Sequence, residues 1–116
     1  MLNRVVLIGR LTADPELRTT QSGKAVTDFN LAVDRRSKDK TDFIKIVVWN
    51  EMAKNCVKYL AKGRQAAVSG RLEIDSYDKN GEKRYIAQVV ADEVQFLSPK
   101  AAQPEDDAVG DEGLPF

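Results

Sequence analysis

Phe43-Ile44-Lys45-Ile46-Val47-Val48-Trp49, followed after Asn50 by a run of helical period over 51–62, is the stretch on which the fold turns. Side chains alternate across a strand. Ile44, Ile46 and Val48 therefore share one face, all aliphatic and β-branched, which suits a barrel interior. Phe43, Lys45, Val47 and Trp49 share the other. In the helical run, Met52, Cys56, Tyr59 and Leu60 share a face, with Ala53 and Val57 at its edge. Gly63 stands where a C′ glycine would end that helix.

Strand signals flank this unit on both sides. Residues 4–11 are apolar and β-branched, and Gly9 inside them suggests a bend or bulge. Asp14-Pro15 breaks the run and Gln21-Ser22-Gly23-Lys24 makes a turn. Residues 25–34 alternate, with Ala25, Thr27, Phe29, Leu31 and Val33 on one side and Asp28, Asn30 and Asp34 on the other. Residues 35–42 read as a charged loop. Beyond the helix, 65–76 alternate, Asn80-Gly81 is a hairpin signal, and 84–97 form a last long strand. Five strands with one helix between the third and fourth is the order of an all-β OB-fold, a five-stranded Greek-key barrel. Residues 1–100 are expected to be that barrel domain and 101–116 a disordered acidic tail.

Composition narrows the chemistry. The chain has 116 residues, one cysteine and no histidine, and its 18 basic residues balance 18 acidic ones. An intrachain disulfide, a Cys/His zinc site and every imidazole-based triad are thereby excluded. No run of about 18 apolar residues marks a membrane span. Met1-Leu2-Asn3-Arg4 leads into alternation without a signal-peptide core. The expectation is a cytoplasmic protein with no membrane association, no cofactor, no metal and no enzymatic activity. Asp28, Asp34, Glu73 and Asp75 fall on different strands, in a pattern that solvent-facing positions explain. The neutral total conceals a split. All the bases lie in 1–100, which carries a net +5, and 101–116 carry −5. A basic body suggests an anionic partner.

The outward face of 43–49 puts Phe43 and Trp49 around Lys45. Exposed aromatics with cations nearby are what single-stranded nucleic acid needs, because every base offers a π-face to stack. The hairpin 77–85 adds Tyr77 and Tyr85 with Lys79, Lys83 and Arg84, and the 35–42 loop adds Arg35, Arg36, Lys38 and Lys40. Two other readings stay open on these residues. Phe43 and Trp49 would equally serve a subunit interface in an adaptor protein, and the same groove would accept RNA. The last residues, Asp111-Glu112-Gly113-Leu114-Pro115-Phe116, place an apolar tip after acids. Such a tip fits a pocket with a basic rim on a partner protein.

Taken together, these residues resemble the bacterial-type single-stranded DNA-binding proteins. Asn3 to Arg18 is similar to the family's first strand and loop. Phe43 through Gly63 is similar to its third strand and helix, and Val68-Ser69-Gly70-Arg71-Leu72 with Asn80-Gly81 to its fourth strand and finger. The ending Leu114-Pro115-Phe116 resembles its partner-binding tip. The resemblance implies an OB-fold homotetramer that wraps single-stranded DNA without sequence preference. It also implies a nucleoid-associated location and a tip that recruits replication, recombination and repair proteins. Carried over position by position, it assigns base stacking to Phe43, Trp49 and Tyr77. It assigns backbone contacts to Arg4, Arg10, Arg18, Lys45, Lys62 and Arg71, beside Arg35, Arg36, Lys79 and Arg84 of the two basic loops. The sequence departs from the family pattern in three places. Arg35-Arg36-Ser37 has no aromatic where many relatives have one. Glu73 and Asp75 stand where relatives often carry bases, and Gly113 interrupts the acidic run before the tip.

Overall fold

Alternating β-branched sequence builds long strands here, and two glycines let those strands bend into a ring. The computed structural model describes residues 1–37 and 39–97. In chain order the elements are β1 (Val5–Leu11), β2 (Arg18–Thr19), β3 (Ala25–Asp34), β4 (Thr41–Trp49), α1 (Asn50–Tyr59), β5 (Gln65–Lys79) and β6 (Glu82–Phe96). The sheet runs β1-β5-β6-β4-β3-β2, and a further antiparallel pairing of β1 with β3 closes the five long strands into a barrel. All pairings are antiparallel except β4 with β6. This is the expected OB-fold, with the helix after the third long strand. The two-residue β2 is an addition, a short edge paired with Val26 and Ala25.

Closure depends on backbone approaches that no side chain would permit. At Gly9 the strand passes so near the carbonyl of Ala32 that a Cβ would collide with it. Just beyond, Arg10 pairs with Ala32 and Leu11 with Leu31. The expected irregularity in the first strand is therefore a close crossing at Gly9. The bulge itself lies between Ser69 and Gly70, where the β5–β6 register shifts and Asp92 is the unpaired extra residue. A Cβ on Gly70 would strike the Val90 carbonyl. The interior that results holds Leu31, Ile46, Val48, Val68 and Val89, each at most 1% exposed. Full burial of each such side chain contributes about 1.5–3 kcal/mol.

Helix α1 stoppers this core through Ala53 and Cys56, with Leu60 just past its end. Burial pushes the Cys56 thiol up to about 11, so it stays protonated and inert at neutral pH. Two expectations about this helix need correction. It ends at Tyr59, with Leu60 already extended, so Gly63 is not its C′ residue. Gly63 instead donates its N–H to the Leu11 carbonyl at 2.8 Å, tying the helix exit to the end of β1. Tyr59 does not join the buried face. That arc centres on Ala53, Cys56 and Leu60, and at 3.6 residues per turn Tyr59 falls beyond its edge.

Strand boundaries also move outward. β4 begins at Thr41, inside the expected loop, because Thr41 and Asp34 face each other across the strand pair and hydrogen-bond at 2.9 Å. β5 and β6 run on to Lys79 and Glu82, joined by Asn80 and Gly81, both with positive φ as a two-residue hairpin turn requires. No described helix is long and apolar enough to cross a membrane. The acidic segment and the tip Asp111–Phe116 lie outside the described residues.

Gly9→Ala is expected to cost at least about 1–3 kcal/mol, the usual range for forced overpacking. The Ala32 carbonyl sits in the strand pairing that closes the ring and has little room to yield. A urea midpoint equal to that of the unaltered protein would show that closure does not depend on this crossing.

Candidate nucleic-acid interface

Residues opposite one another in neighbouring strands share a face. The registers therefore assemble the barrel's outer surface in rows. One row is Arg18, Val26 and Trp49 on β2, β3 and β4. The next is Asp28, Val47, Val90 and Arg71, and after it Asn30, Lys45, Gln88 and Glu73, each crossing β3, β4, β6 and β5. The last is Arg10, Ala32 and Phe43 on β1, β3 and β4. Tracing β5 outward by alternate residues from Glu73 leads to Asp75 and Tyr77 on this same face. The structure thus brings all three expected stacking aromatics to one surface. Phe43 is 65% exposed, Tyr77 51% and Trp49 38%.

Trp49 owes its position to the corner where β4 becomes α1. Its backbone is still extended, and Asn50 turns the chain with φ 60°. Asparagine tolerates that left-handed conformation better than most residues. Beside Trp49 lies a cleft of about 390 Å³ whose lining includes Arg18, Thr20, Asp28, Lys45 and Gln88, with Val26 and Val47 as apolar members. Apolar floor, aromatic wall and flanking cations suit a ligand with flat bases and an anionic backbone.

The cations, however, are not free. Arg18 Nη2 sits 3.1 Å and Lys45 Nζ 4.0 Å from the same carboxylate oxygen, Asp28 Oδ2. Arg71 pairs with Glu73 at 3.0 Å and Arg10 with Asp34 at 3.5 Å. Asp75 accepts a hydrogen bond from Gln88 at 2.9 Å. Arg84 pairs with Glu82 at 3.3 Å on the Tyr77 side of the hairpin. Arg35 holds Asp42 by three hydrogen bonds from Nε and Nη2, the shortest 2.9 Å. Those bonds keep the Asp42 carboxyl below its usual range and raise the guanidinium. A phosphate entering this face must exchange with carboxylates already in place.

Other expected residues lie elsewhere. Arg4 is round the barrel on the chain entering β1, bound to Asp92 at 2.8 Å and to Ser69 Oγ at 3.1 Å. Lys62 comes after α1, where its backbone N–H donates to Asp14 at 2.8 Å. Arg36 is exposed beside Arg35, and Lys79 is exposed at the hairpin turn. Tyr85 faces away from Tyr77, because it pairs with Ser76 one step out of phase. Lys38 and Asp111–Phe116 are outside the described residues. Among the described residues no group of three His, Cys, Asp or Glu is placed to hold a metal.

The central group of this face, Asp28, had no functional signal in the sequence. Alternation already put it on the outward side of its strand. Only the register showed that it stands between Arg18 and Lys45. Gln88, Thr20 and Lys24, which line the clefts on either side of Trp49, carried no functional signal in the sequence.

Comparison with known proteins adds an independent line. A family model described as the single-strand binding protein family matches residues 2–97. The chain is 52% identical over 106 residues to Single-stranded DNA-binding protein 1 of Staphylococcus aureus strain MSSA476, covering 86% of this chain and 68% of that protein. It is 49% identical over 111 residues to the Single-stranded DNA-binding protein of Halalkalibacterium halodurans, covering 90% and 66%. With the protein of the same name from Clostridium tetani it shares 53% over 102 residues, covering 83% and 70%.

Asp28→Asn releases two cations at once, so this variant is expected to elute from immobilised heparin at higher salt than the unaltered protein. Glu93→Gln changes net charge equally but sits on the far part of β6, and is expected to shift elution less. Exposed pairs are worth about 0–1 kcal/mol, so the shift is modest. Equal elution of the two variants would assign the effect to net charge instead of to release of Arg18 and Lys45.

Proposed function

The chain belongs to the single-strand binding protein family, and from that premise we propose that it binds single-stranded DNA without sequence preference, as a binding protein and not an enzyme. The observation that carries this reading is the arrangement of Phe43, Trp49 and Tyr77. All three are exposed on one strand face that also bears Arg10, Arg18, Lys45, Arg71 and Arg84. Stacking on these rings accepts any base, which explains tolerance of sequence. Holding bases against protein keeps them from pairing, and so protects an exposed strand.

The backbone track is formed by cations that trade a carboxylate for a phosphate. Arg18 and Lys45 leave Asp28, and Arg71 leaves Glu73. Arg35, Arg36 and Lys79 line the loops at the two ends of the face. Arg4 and Lys62 are the outlying members of the set. Homotetramer formation is part of the proposal. Its support is the outward face of β1, where Val6 is 66% exposed and Ile8 is exposed beside it. Apolar side chains of that size on an open strand face are suited to burial against another copy. The tip Asp111–Phe116 is proposed to recruit replication, recombination and repair proteins at the nucleoid. Acids and a terminal Leu-Pro-Phe match an apolar pocket with a basic rim.

Trp49 is the chain's only tryptophan, so its fluorescence reports a single place. Oligo-dT is expected to quench it, and duplex DNA of equal length is not. Affinity should fall with salt at a slope of about −0.7 per phosphate neutralised. Trp49→Ala is expected to weaken binding by about 1–3 kcal/mol with the fold intact. An unperturbed tryptophan at micromolar oligo-dT would transfer this face to protein contact.

Removing residues 105–116 takes away all five tail acids. The shortened chain is expected to bind oligo-dT more tightly at low salt and to lose capture of DNA-metabolism proteins. Unchanged low-salt affinity would refute competition between tail and DNA. Retained capture would refute docking through the tip.

A further inference from the structure

A second aromatic pair lies at the far end of α1, away from the strand face. The rings of Tyr59 and Phe96 have centroids 5.7 Å apart and are tilted by 39°. Tyr59 is 50% exposed and Phe96 39%. Neither ring is needed to fill the core, which is closed here by Ala53 and Cys56 of α1 and by Leu60 after it. Lys58 Nζ lies 5.3 Å from the centre of the Tyr59 ring, and Arg64 reaches the Tyr59 carbonyl at 3.5 Å.

The charge around the ring pair differs in kind from that on the strand face, although Lys54, on the way to it, pairs with Glu51 at 3.9 Å. Arg10, Arg18, Lys45 and Arg71 each have a carboxylate within 4.0 Å. Among the described residues, Lys58, Lys62 and Arg64 form no ion pair. An incoming phosphate would have no carboxylate to displace at these three.

A path joins the two places. The cleft beside Trp49 is lined by Lys24 and Asn50, and these same residues line an adjoining cleft that ends at Glu51 and Lys54. From there Lys54 and Lys58, four apart on the exposed side of α1, lie one above the other along the helix. Ten residues of helix span about 15 Å. Lys62 is exposed just past the helix end.

We propose that Tyr59 and Phe96 form a second base-stacking site for single-stranded DNA, reached from Trp49 along the lysines of α1. This rests on the reading of the strand face as the primary site. A strand leaving Trp49 has its phosphates led along Lys54, which exchanges Glu51 for phosphate, and then Lys58, and its next bases meet the open faces of the ring pair.

The test uses the full chain and oligo-dT of about 16 nucleotides, near the upper end of what one OB-fold covers. Single 5-iododeoxyuridines are placed along it, and light-induced adducts are located by mass spectrometry. Adducts on Tyr59 or Phe96, at positions displaced along the strand from those reaching Trp49, are expected. Tyr59→Ala is expected to weaken binding of the long strand by roughly ten-fold and to leave binding of a strand of about five nucleotides unchanged. Tyr59→Phe, which keeps the ring, should bind as the unaltered protein does, and thermal melting should confirm that both variants fold. Phe96→Ala offers the same comparison if Tyr59→Ala does not fold. Adducts confined to Phe43, Trp49 and Tyr77, with long-strand affinity insensitive to Tyr59→Ala, would overturn the second site and leave the primary one standing. Failure of oligo-dT to quench Trp49 would remove the primary reading, and this one with it.

Discussion

The barrel hangs on the crossing of β1 over β3 at Gly9. A sheet of five long strands becomes a ring only if its first strand can leave β5 and lie against β3. The backbone of Gly9 does this by passing where a side chain would meet the Ala32 carbonyl. The end of β1 is locked by that passage. Leu11 pairs with Leu31, its N–H donates to the Arg64 carbonyl at 3.0 Å, and its carbonyl accepts from Gly63. The loop after α1 is thereby anchored to the closing strand, and the helix is held over the open end of the core. Closure also removes most free strand edges. It fixes the rows on which Trp49, Lys45 and Phe43 stand.

Those rows explain how a face can be rich in cations and yet balanced in charge. Every cation at its centre rests on a carboxylate of the same sheet, and Asp28 serves two. Such exposed pairs contribute little to stability. They keep long side chains extended across the surface, where, under the proposed function, a phosphate would replace a carboxylate with no large rearrangement. Such an exchange of one anion for another would also limit the net gain, and so favour binding that can be reversed. Glu73 and Asp75 belong to the same logic. They stand where relatives often carry bases, and each is engaged here, Glu73 by Arg71 and Asp75 by Gln88.

Much of this was legible in the chain itself. Period-two alternation over 25–34 and 43–49 reflects strands with one wet and one dry face, a constraint on each residue separately. Asn80-Gly81 marked its turn because so few residue pairs accept positive φ twice in succession. The aromatic face of β4 came from the same alternation. Where sequence and structure part, the deciding partner is distant along the chain. Tyr59 sits at the margin of the helical stripe, and only the position of α1 on the barrel determines which margin is covered. Gly63 has the look of a helix stop, but its N–H is claimed by Leu11, fifty-two positions earlier.

By itself, then, the sequence determined the strands, the helix between the third and fourth long strands, the aromatic side of β4 and the segregation of charge between body and tail. These depend on local periodicity, on backbone preferences of single residues and on counting. Only the tertiary structure decided which charges pair, that Tyr77 shares a face with Trp49 while Tyr85 does not, and that Tyr59 meets Phe96. The Asp28 pairs and the shared face of Tyr77 and Trp49 depend on the register of one strand against another, and the Tyr59–Phe96 contact on where α1 sits against β6. A shift of a single residue in a strand would have turned the side chains it carries to the opposite face.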